Sequence, residues 1–444
     1  MGTGKGRRTT RENEDQGRLR TLLRAFRHRN YRLFFTGQLV SLTGTWMQSV
    51  AQAWLVYRLT HSAVLLGLVG FAGQIPVFLL AALGGTVADR RNRRTLLIVT
   101  QTCSMLLAFT LAALTLAGWV QVWHIFVLAV LLGMVNAFDI PGRQSFVIEM
   151  VGRQDLLNAI ALNSSMINGA RIVGPALAGL LVGAVGEGWC FALNGASYLA
   201  AIAALALMHL APRPKAAAHG SALAHIAEGF HFAWRTEPIR ALLLLIGLVS
   251  LTSMPYMVLM PVFAAKVLHG GPEGLGLLMS AAGSGALVGA LTLAARRGVH
   301  GLGCWVAFAA AGFGGGLIAF SLSRSFWLSA ALLVPVGFFM MVQMASSNTL
   351  IQAMVPDRLR GRVMALYSMM LMGMAPFGAL ISGMLAERLG APAAVGMGGA
   401  VSVLGAGWFA LRLPSLRVKA RELIVAQDMA GGEPPDKMTG KGVG

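Results

Sequence analysis

Two charged residues stand inside otherwise apolar stretches of the chain, and their types limit the chemistry available there. Asp139 lies at the end of one apolar stretch, and Arg171 lies about eleven residues into the next one. A charge inside lipid is costly and usually faces a cavity or a charged partner. A carboxylate there can bind and release a proton, whereas arginine stays charged. Asp139, Arg143 and Arg171 are therefore candidates for proton coupling, and a fixed ion pair between Asp139 and Arg143 is the alternative.

Five polar side chains recur along the first apolar stretch at helical spacing. They are separated by three, four, three and four residues, which places them on one face of a helix: Gln38, Ser41, Thr45, Gln48 and Gln52. In a bilayer such a face lines a cavity or packs on another helix, and we interpret it as a cavity wall. Three more polar residues of apolar stretches join these candidates: Asn136, Asn168 and Gln343.

The elements that must position these residues are membrane-spanning helices. Hydrophobic residues make up 56% of the 444 and charged residues only 12%, whereas a soluble domain carries about 25% charged residues. A bilayer core needs about 20 apolar residues per helix. On that basis we predict an all-α polytopic membrane protein with twelve transmembrane helices, at 33–57, 66–88, 96–117, 122–140, 160–184, 189–210, 241–265, 275–295, 302–322, 326–350, 363–385 and 393–411.

The distribution of basic residues sets the expected orientation. If the N-terminus is cytoplasmic, 31 of the 36 lysines and arginines fall in cytoplasmic segments, as the positive-inside rule requires. Both termini are then cytoplasmic, and the formal charge of +19 faces anionic lipids rather than nucleic acid. The predicted parts are a basic segment at 1–32, a six-helix half at 33–210, a linker at 211–240 with an interfacial helix, a second half at 241–411 and a disordered tail at 412–444.

The loop after the second predicted span carries the most specific motif. It reads Gly85-Thr-Val-Ala-Asp89-Arg90-Arg91-Asn92-Arg93-Arg94 and resembles the loop signature of the major facilitator superfamily, with Asn92 where that family usually has glycine. The resemblance implies a cytoplasmic gate formed by Gly85, Asp89, Arg90, Arg93 and Arg94. Gly85 is expected to permit close helix approach. We expect Asp89 to lie at the N-terminus of the eleventh span, near Arg362 and Val363, where a helix dipole favours an anion.

The fifth predicted span carries a second motif. Arg171, Gly174, Pro175 and Gly179 resemble the glycine- and proline-containing motif of exporter branches of the superfamily; ordinary small-residue packing of helices is the alternative. The segments Asn30–Phe34, Trp54–Arg58 and Asp139–Ser145 resemble the enterobactin-exporter-like and macrolide-efflux branch.

These resemblances imply a secondary-active exporter of small molecules, such as drugs, antibiotics or siderophore-like compounds, that works by proton antiport and alternating access. An importer or facilitator of the same fold is the alternative. An ABC pump is disfavoured because the sequence lacks a phosphate-binding loop. A membrane-embedded enzyme is disfavoured because no His or carboxylate cluster recurs at metal spacing. We therefore predict no cofactor and no metal. Because acids are scarce and Arg171 is deep, neutral or anionic substrates are favoured, and a monomer in the cell membrane is expected.

Overall fold

The computed structural model describes residues 24–152, 154–209, 222–296 and 298–429, and it contains helices and no strands over these ranges. Most of the predicted N-terminal segment, the first part of the linker and the last part of the tail lie outside the described residues. The side chain of Asp89 is also outside them, although its backbone belongs to a described helix.

A 3-10 turn at Arg24–Arg27 precedes the α-helices of the described chain. In order these helices are α1 Arg29–Thr60, α2 Ala63–Arg90, α3 Arg93–Leu116, α4 Val122–Val151, α5 Leu156–Val185, α6 Glu187–Ala206, α7 Ala222–Arg235, α8 Glu237–Thr252, α9 Tyr256–Val262, α10 Gly271–Ala294, α11 Leu302–Leu322, α12 Phe326–Met354, α13 Asp357–Leu389 and α14 Ala391–Met429. A π-helical turn, Phe263–Val267, continues α9.

Eleven of these helical segments are long and apolar enough to cross a membrane, with α8, α9 and the π turn counted as one. The count is one lower than predicted because α1 is not among them. At 32 residues α1 is about 48 Å long and could span a bilayer. Its glutamines, serines and threonines lower its mean hydropathy, so the described helices provide eleven candidate spans by length and composition.

Local sequence signals fix several helix ends. Ser62 begins α2 by accepting a hydrogen bond from the Leu65 amide at 3.4 Å, and Asn92 begins α3 by accepting one from the Thr95 amide at 3.2 Å. Short polar side chains at this position satisfy amides that the helix itself leaves unpaired. The predicted seventh span is interrupted between α8 and α9, where Pro255 follows Ser253 and Met254.

The helices pack in two groups with the same order of neighbours. In the N-terminal group, α1–α6, α1 packs on α5 and α6, α3 packs on α4 and α6, and α2 packs on α4. In the C-terminal group, α8–α14, the corresponding pairs are α8 with α13 and α14, α11 with α12 and α14, and α10 with α12. The groups join where α2 packs on α13 and α5 packs on α10.

The contacts between the groups lie toward one end of the bundle. We call the end that carries Gly85–Arg94 the motif end and the opposite end the far end. A methyl group added at Gly67 would lie 2.4 Å from the Ala379 carbonyl oxygen, and one at Gly276 would lie 2.5 Å from the Pro175 carbonyl oxygen. These close approaches run from Ala63 to Phe78 on α2 and from Arg171 to Gly183 on α5, so the interface between the groups is closed at the far end.

The prediction that the tail from residue 412 is disordered is wrong for its described part. Helix α14 continues without a break to Met429. Apolar side chains recur along this extension at helical spacing and pack against the main core cluster: Leu413, Leu416, Ala420, Leu423 and Ile424. Lys419 also forms an ion pair with Glu237 at the start of α8. The basic residues around these apolar positions favour the prediction of a charged tail over that of an amphipathic helix.

Candidate functional site

Asp139 lies in a closed network of hydrogen bonds on α4. The residue is buried, and its carboxylate accepts hydrogen bonds from Thr100 Oγ1 at 2.8 Å and from Gln101 Nε2 at 2.9 Å on α3. Arg143, one helical turn later on α4, forms an ion pair with it. Arg143 also donates to Gln38 Oε1 on α1 at 3.2 Å. The structure therefore brings Asp139, Arg143 and Gln38 together, and the network joins α1, α3 and α4.

Arg171 lies elsewhere, between the two groups of helices. Its guanidinium stands 5.5 Å from the centre of the Trp46 ring on α1, and its Nη2 lies 3.4 Å from Met257 Sδ on α9. The neighbouring Tyr256 is buried, and its hydroxyl has no hydrogen-bond partner among the described residues. Asn168, a predicted cavity residue, donates to the Ser164 carbonyl of its own helix at 2.9 Å. Arg171 is thus a cation at the interface of the groups, apart from the Asp139 network.

The polar face of α1 packs inside the N-terminal group, which corrects the interpretation as a cavity wall. Gln38, Ser41 and Gln48 are buried. Gln48 accepts a hydrogen bond from Asn194 Nδ2 of α6 at 2.6 Å. Two further contacts of the face go to α3 and α6: Ser41 with Gln101 at 3.4 Å, and Thr45 with Tyr198 at 3.4 Å. An unpaired polar group inside a membrane costs free energy because no water is there to bind it. These glutamine and hydroxyl groups are instead hydrogen-bonded to neighbouring helices.

The other predicted cavity residues are placed as follows. Gln52 and Asn136 are partly buried on α1 and α4. Gln343 is buried on α12, and its side-chain nitrogen lacks a hydrogen-bond partner within the described ranges. Gln343 and Tyr256 are therefore buried groups of the C-terminal group with hydrogen-bonding capacity left over.

The fifth-helix motif forms contacts in two directions. A methyl group added at Gly174 would lie 2.5 Å from Trp46 Cβ on α1, and one at Gly179 would lie about 3 Å from α10. Pro175 lies inside α5 and contributes the carbonyl that Gly276 approaches. The small residues at 174 and 179 thus allow α5 to touch both groups while Arg171 stays between them.

The loop motif holds the N-terminal group together at its own end. Arg93 donates to Glu149 Oε1 on α4 at 2.8 Å and to the Ala88 carbonyl on α2 at 3.2 Å. Arg94 donates to the carbonyls of Leu205 and Ala206 at 2.7 and 2.6 Å, at the end of α6. These are last-turn carbonyls that the helix leaves unpaired.

The glycine that brings α2 against α4 is Gly84. A methyl group at Gly84 would lie 1.9 Å from the Ala137 carbonyl oxygen, whereas one at Gly85 would meet no atom within 4 Å. The expected packing role of Gly85 is therefore corrected to its neighbour. Arg90 is exposed at the end of α2.

Several acids that the sequence did not single out hold further elements at the motif end. Asp155 is buried and binds Arg24, Arg27 and His28, with N–O distances of 3.1, 2.7 and 2.8 Å. The hydrogen bond from His28, supported by Arg27 and Arg24, lowers the pKa of Asp155 against the effect of its burial. Glu228 on α7 pairs with Arg362 at the start of α13. These acids could not be assigned from sequence because their partners lie more than one hundred residues away.

No group of three or more His, Cys, Asp or Glu residues in the described ranges is placed to hold a metal ion. The candidate site combines a buried acid in one helix group, a cation between the two groups, and an interface between the groups that is closed at one end. This combination is typical of a transporter.

A family model described as transmembrane secretion effector matches residues 21–435. The chain therefore belongs to this family of major facilitator superfamily transporters, and it is a multi-pass protein of the bacterial cell membrane. The predicted resemblance to the superfamily and its enterobactin-exporter-like branch is confirmed.

Three relatives span most of the chain. The staphyloferrin A transporter of Staphylococcus aureus is 26% identical over 362 residues, covering 80% of this chain and 89% of its own. The multidrug efflux pump Tap of Mycobacterium tuberculosis is 29% identical over 408 residues, with coverages of 87% and 93%. The enterobactin exporter EntS of Shigella boydii is 24% identical over 344 residues, with coverages of 77% and 81%.

Solved structures support the fold. A transporter of the POT family, in complex with 5-aminolevulinic acid, superposes with a TM-score of 0.69 at 10% identity, covering 88% of this chain and 97% of its own. At this identity the likeness concerns the arrangement of helices alone.

Proposed function

We propose that this protein is a secondary-active exporter that carries small organic molecules out of the cell by alternating access. The observation that carries the proposal is the position of Arg171, a cation between the two helix groups that contacts Trp46 of one group and Met257 of the other. A charge at membrane depth marks a substrate or ion pathway. The family assignment and its siderophore and drug relatives agree with this function.

The architecture that we propose has twelve spans, with α1 as the first, in two six-helix halves. The repeated packing order of α1–α6 and α8–α14 supports two halves. The motif end then faces the cytoplasm because the basic residues concentrate there, and both termini are cytoplasmic. The described arrangement, closed at the far end, corresponds to the state that loads substrate from the cytoplasm.

The substrate class that this geometry favours is an anionic or neutral molecule with an aromatic or other flat apolar part. Arg171 supplies a fixed positive charge, and Trp46 supplies a ring face beside it. Met257 adds an adaptable apolar surface. Tyr256 adds a buried hydroxyl with no partner in the described chain.

Proton coupling through Asp139 is the second part of the proposal. The acid is held by Thr100, Gln101 and Arg143, so a proton could bind only if the cycle moves α3 or Arg143 away from it. We propose that Asp139 is released from this contact in the state in which the far end of the bundle is open. The protein is proposed to act as a monomer.

The test is efflux from vesicles that contain the purified protein, driven by an imposed pH gradient, with an anionic aromatic dye and a cationic dye as substrates. Arg171→Ala should lower efflux of the anionic dye by about tenfold or more, and Arg171→Lys should restore it only in part because lysine lacks the planar guanidinium. Arg324→Gln, a change remote from the interface, is the control. Equal efflux by Arg171→Ala and the parent protein would refute the assignment, and net uptake along the gradient would favour an importer.

A further inference from the structure

A cavity of about 320 Å³ lies between the two helix groups at the far end, away from Arg171. The ends of α1 and the start of α2 form one wall, and the end of the π turn with the junction of α13 and α14 forms the other. The residues that matter for its chemistry are Tyr57, Lys266, Glu387, Gly390 and Ala391. A volume of this size holds on the order of ten water molecules or one small organic acid.

The internal repeat of the protein shows what this cavity lacks. Near the far end of α1, Arg58 donates to both carboxylate oxygens of Glu187, at 2.7 and 3.2 Å. Glu187 is the first residue of α6 and follows Gly186, which has φ +87°. This ion pair ties the first and last helices of the N-terminal group together.

The C-terminal group repeats the same backbone without the acid. Lys266 stands three residues before His269, which has φ 52°, just as Arg58 stands three residues before His61, which has φ 51°. Helix α14 likewise begins after a glycine of positive φ, Gly390 at +86°. The residue that follows is Ala391, where the N-terminal group has Glu187. Lys266 has no ion-pair partner among the described residues, and the place of the missing carboxylate belongs to the cavity.

A second observation points to a ligand in the same place. Tyr57 is only 3% exposed and lines the cavity, yet its hydroxyl has no hydrogen-bond partner in the described chain. Lys266 Nζ lies 5.9 Å from the centre of its ring. A buried hydroxyl without a partner costs about 1–3 kcal/mol, so a ligand that accepts its hydrogen bond would remove that cost.

The acid that does line the cavity is already engaged. Glu387 Oε2 accepts hydrogen bonds from the Ala63 amide at 2.8 Å and from Ser62 Oγ at 3.2 Å. It therefore caps the N-terminus of α2, where an anion is stabilised by the helix dipole. Glu387 joins the two groups by this contact.

We propose that this cavity binds the carboxylate of a small organic acid that reaches it from the far face, with the Lys266 ammonium and the Tyr57 hydroxyl as its two donors. The ligand carboxylate takes the place that Glu187 fills in the N-terminal group. Because Tyr57 belongs to one group and Lys266 to the other, the bound acid joins them and favours the arrangement closed at the far end. The site is separate from the one proposed for the transported substrate, and its test does not depend on transport.

The experiment follows thermal unfolding of the purified protein in detergent while sodium succinate is titrated at constant ionic strength against sodium chloride. Succinate should raise the unfolding temperature with a saturable dependence that chloride does not reproduce. Lys266→Gln and Tyr57→Phe should each weaken the apparent affinity about tenfold or more. Arg324→Gln, which removes another basic residue of the far end, should leave the response intact.

A gain-of-function variant keeps the test decisive even if the first variants fold poorly. Ala391→Glu supplies the missing carboxylate from the chain itself, so it should raise the unfolding temperature without succinate and abolish the succinate response. Ala391→Gln has nearly the same shape without the charge and should do neither. The proposal is overturned if chloride acts as well as succinate, if Lys266→Gln responds like the parent, or if Ala391→Glu still responds.

Discussion

At the scale of single residues, Asp139 shows how neighbouring side chains hold a buried acid in a membrane helix. Thr100 and Gln101 donate to one oxygen and Arg143 pairs with the other. Removing one member of such a pair leaves an uncompensated charge in a poorly solvated place. In the transport cycle proposed above, these same contacts would set the energy required to protonate Asp139.

We expect Asp139→Asn to lower the free energy of unfolding by about 3 kcal/mol, because Arg143 then loses its only described acidic partner. Arg143→Gln alone should be similarly harmful, whereas the double variant should recover much of the loss. Chemical denaturation of the parent protein, the two single variants and the double variant in one detergent measures the interaction energy between Asp139 and Arg143. Additive losses would show that the pair is not an energetic unit. Gradient-driven efflux by a stable double variant would argue against Asp139 as the proton site.

Asp155 anchors the turn Arg24–Arg27 to the N-terminal group, and its lowered pKa gives the pH range of that contact. For an acid with a lowered folded-state pKa, the stabilisation is complete above the ordinary pKa of about 3.9 and disappears as the pH falls through the lowered value. As far as Asp155 is concerned, the contact should persist throughout pH 5 to 8.

Asp155→Asn should release this turn at neutral pH, since Arg24, Arg27 and His28 lose their shared acid. Brief treatment with trypsin, followed by mass spectrometry, should show faster cleavage after Arg27 in the variant. Asp357→Asn, which removes an exposed acid from α13, is the matched control. Equal cleavage in all three proteins would show that Asp155 does not hold the turn.

At the scale of helices, contact between α2 and α4 depends on one glycine of a neighbouring pair. Gly84→Ala should destabilise the protein by about 1–3 kcal/mol because its methyl group would overlap the Ala137 carbonyl. Gly85→Ala should be neutral or slightly stabilising, since its methyl group meets open space and alanine favours helix. Thermal unfolding of the two variants gives the comparison, and equal destabilisation would contradict this packing.

Helix number, helix ends and the loop motif could largely be predicted from apolar length and turn residues, whereas the neighbours of each helix could not. The polar face of α1 was correctly placed on one side of a helix, but its direction depended on Asn194, Gln101 and Tyr198, which are 60 to 153 residues away in sequence. The sequence likewise predicts that Arg171 lies inside a span, while its contacts with Trp46 and Met257 arise from tertiary packing. The end of α14 shows the opposite error. Its apolar residues recur at helical spacing and indicate an amphipathic helix, but the many basic residues around them favoured the prediction of a charged tail.

At the scale of the whole molecule, contacts between α2 and α13 hold the two helix groups together at the far end. Gly383 lies where a methyl group would be 2.6 Å from the Ala63 carbonyl oxygen, so Gly383→Leu should push the groups apart at that end. The equilibrium should then shift toward the arrangement closed at the motif end.

This shift can be followed by labelling Ser164→Cys, an exposed position on the motif-end part of α5, with a hydrophilic maleimide. Labelling should slow severalfold when Gly383→Leu is added. Gly407→Leu provides the control, because a side chain at that glycine meets no atom within 4 Å. Unchanged labelling in Gly383→Leu would show that the far-end contact does not govern opening.

The buried polar face of α1 also constrains how the protein is made. Helix α1 is synthesised before Gln101 of α3 and Asn194 of α6, which pair with its polar face. Until then its glutamines have no partners on these helices, and among the described helices of the N-terminal group α1 is the one that falls short of the apolarity typical of a span. We therefore expect stable integration of α1 to require the later helices, with α6 supplying the amide that pairs with Gln48.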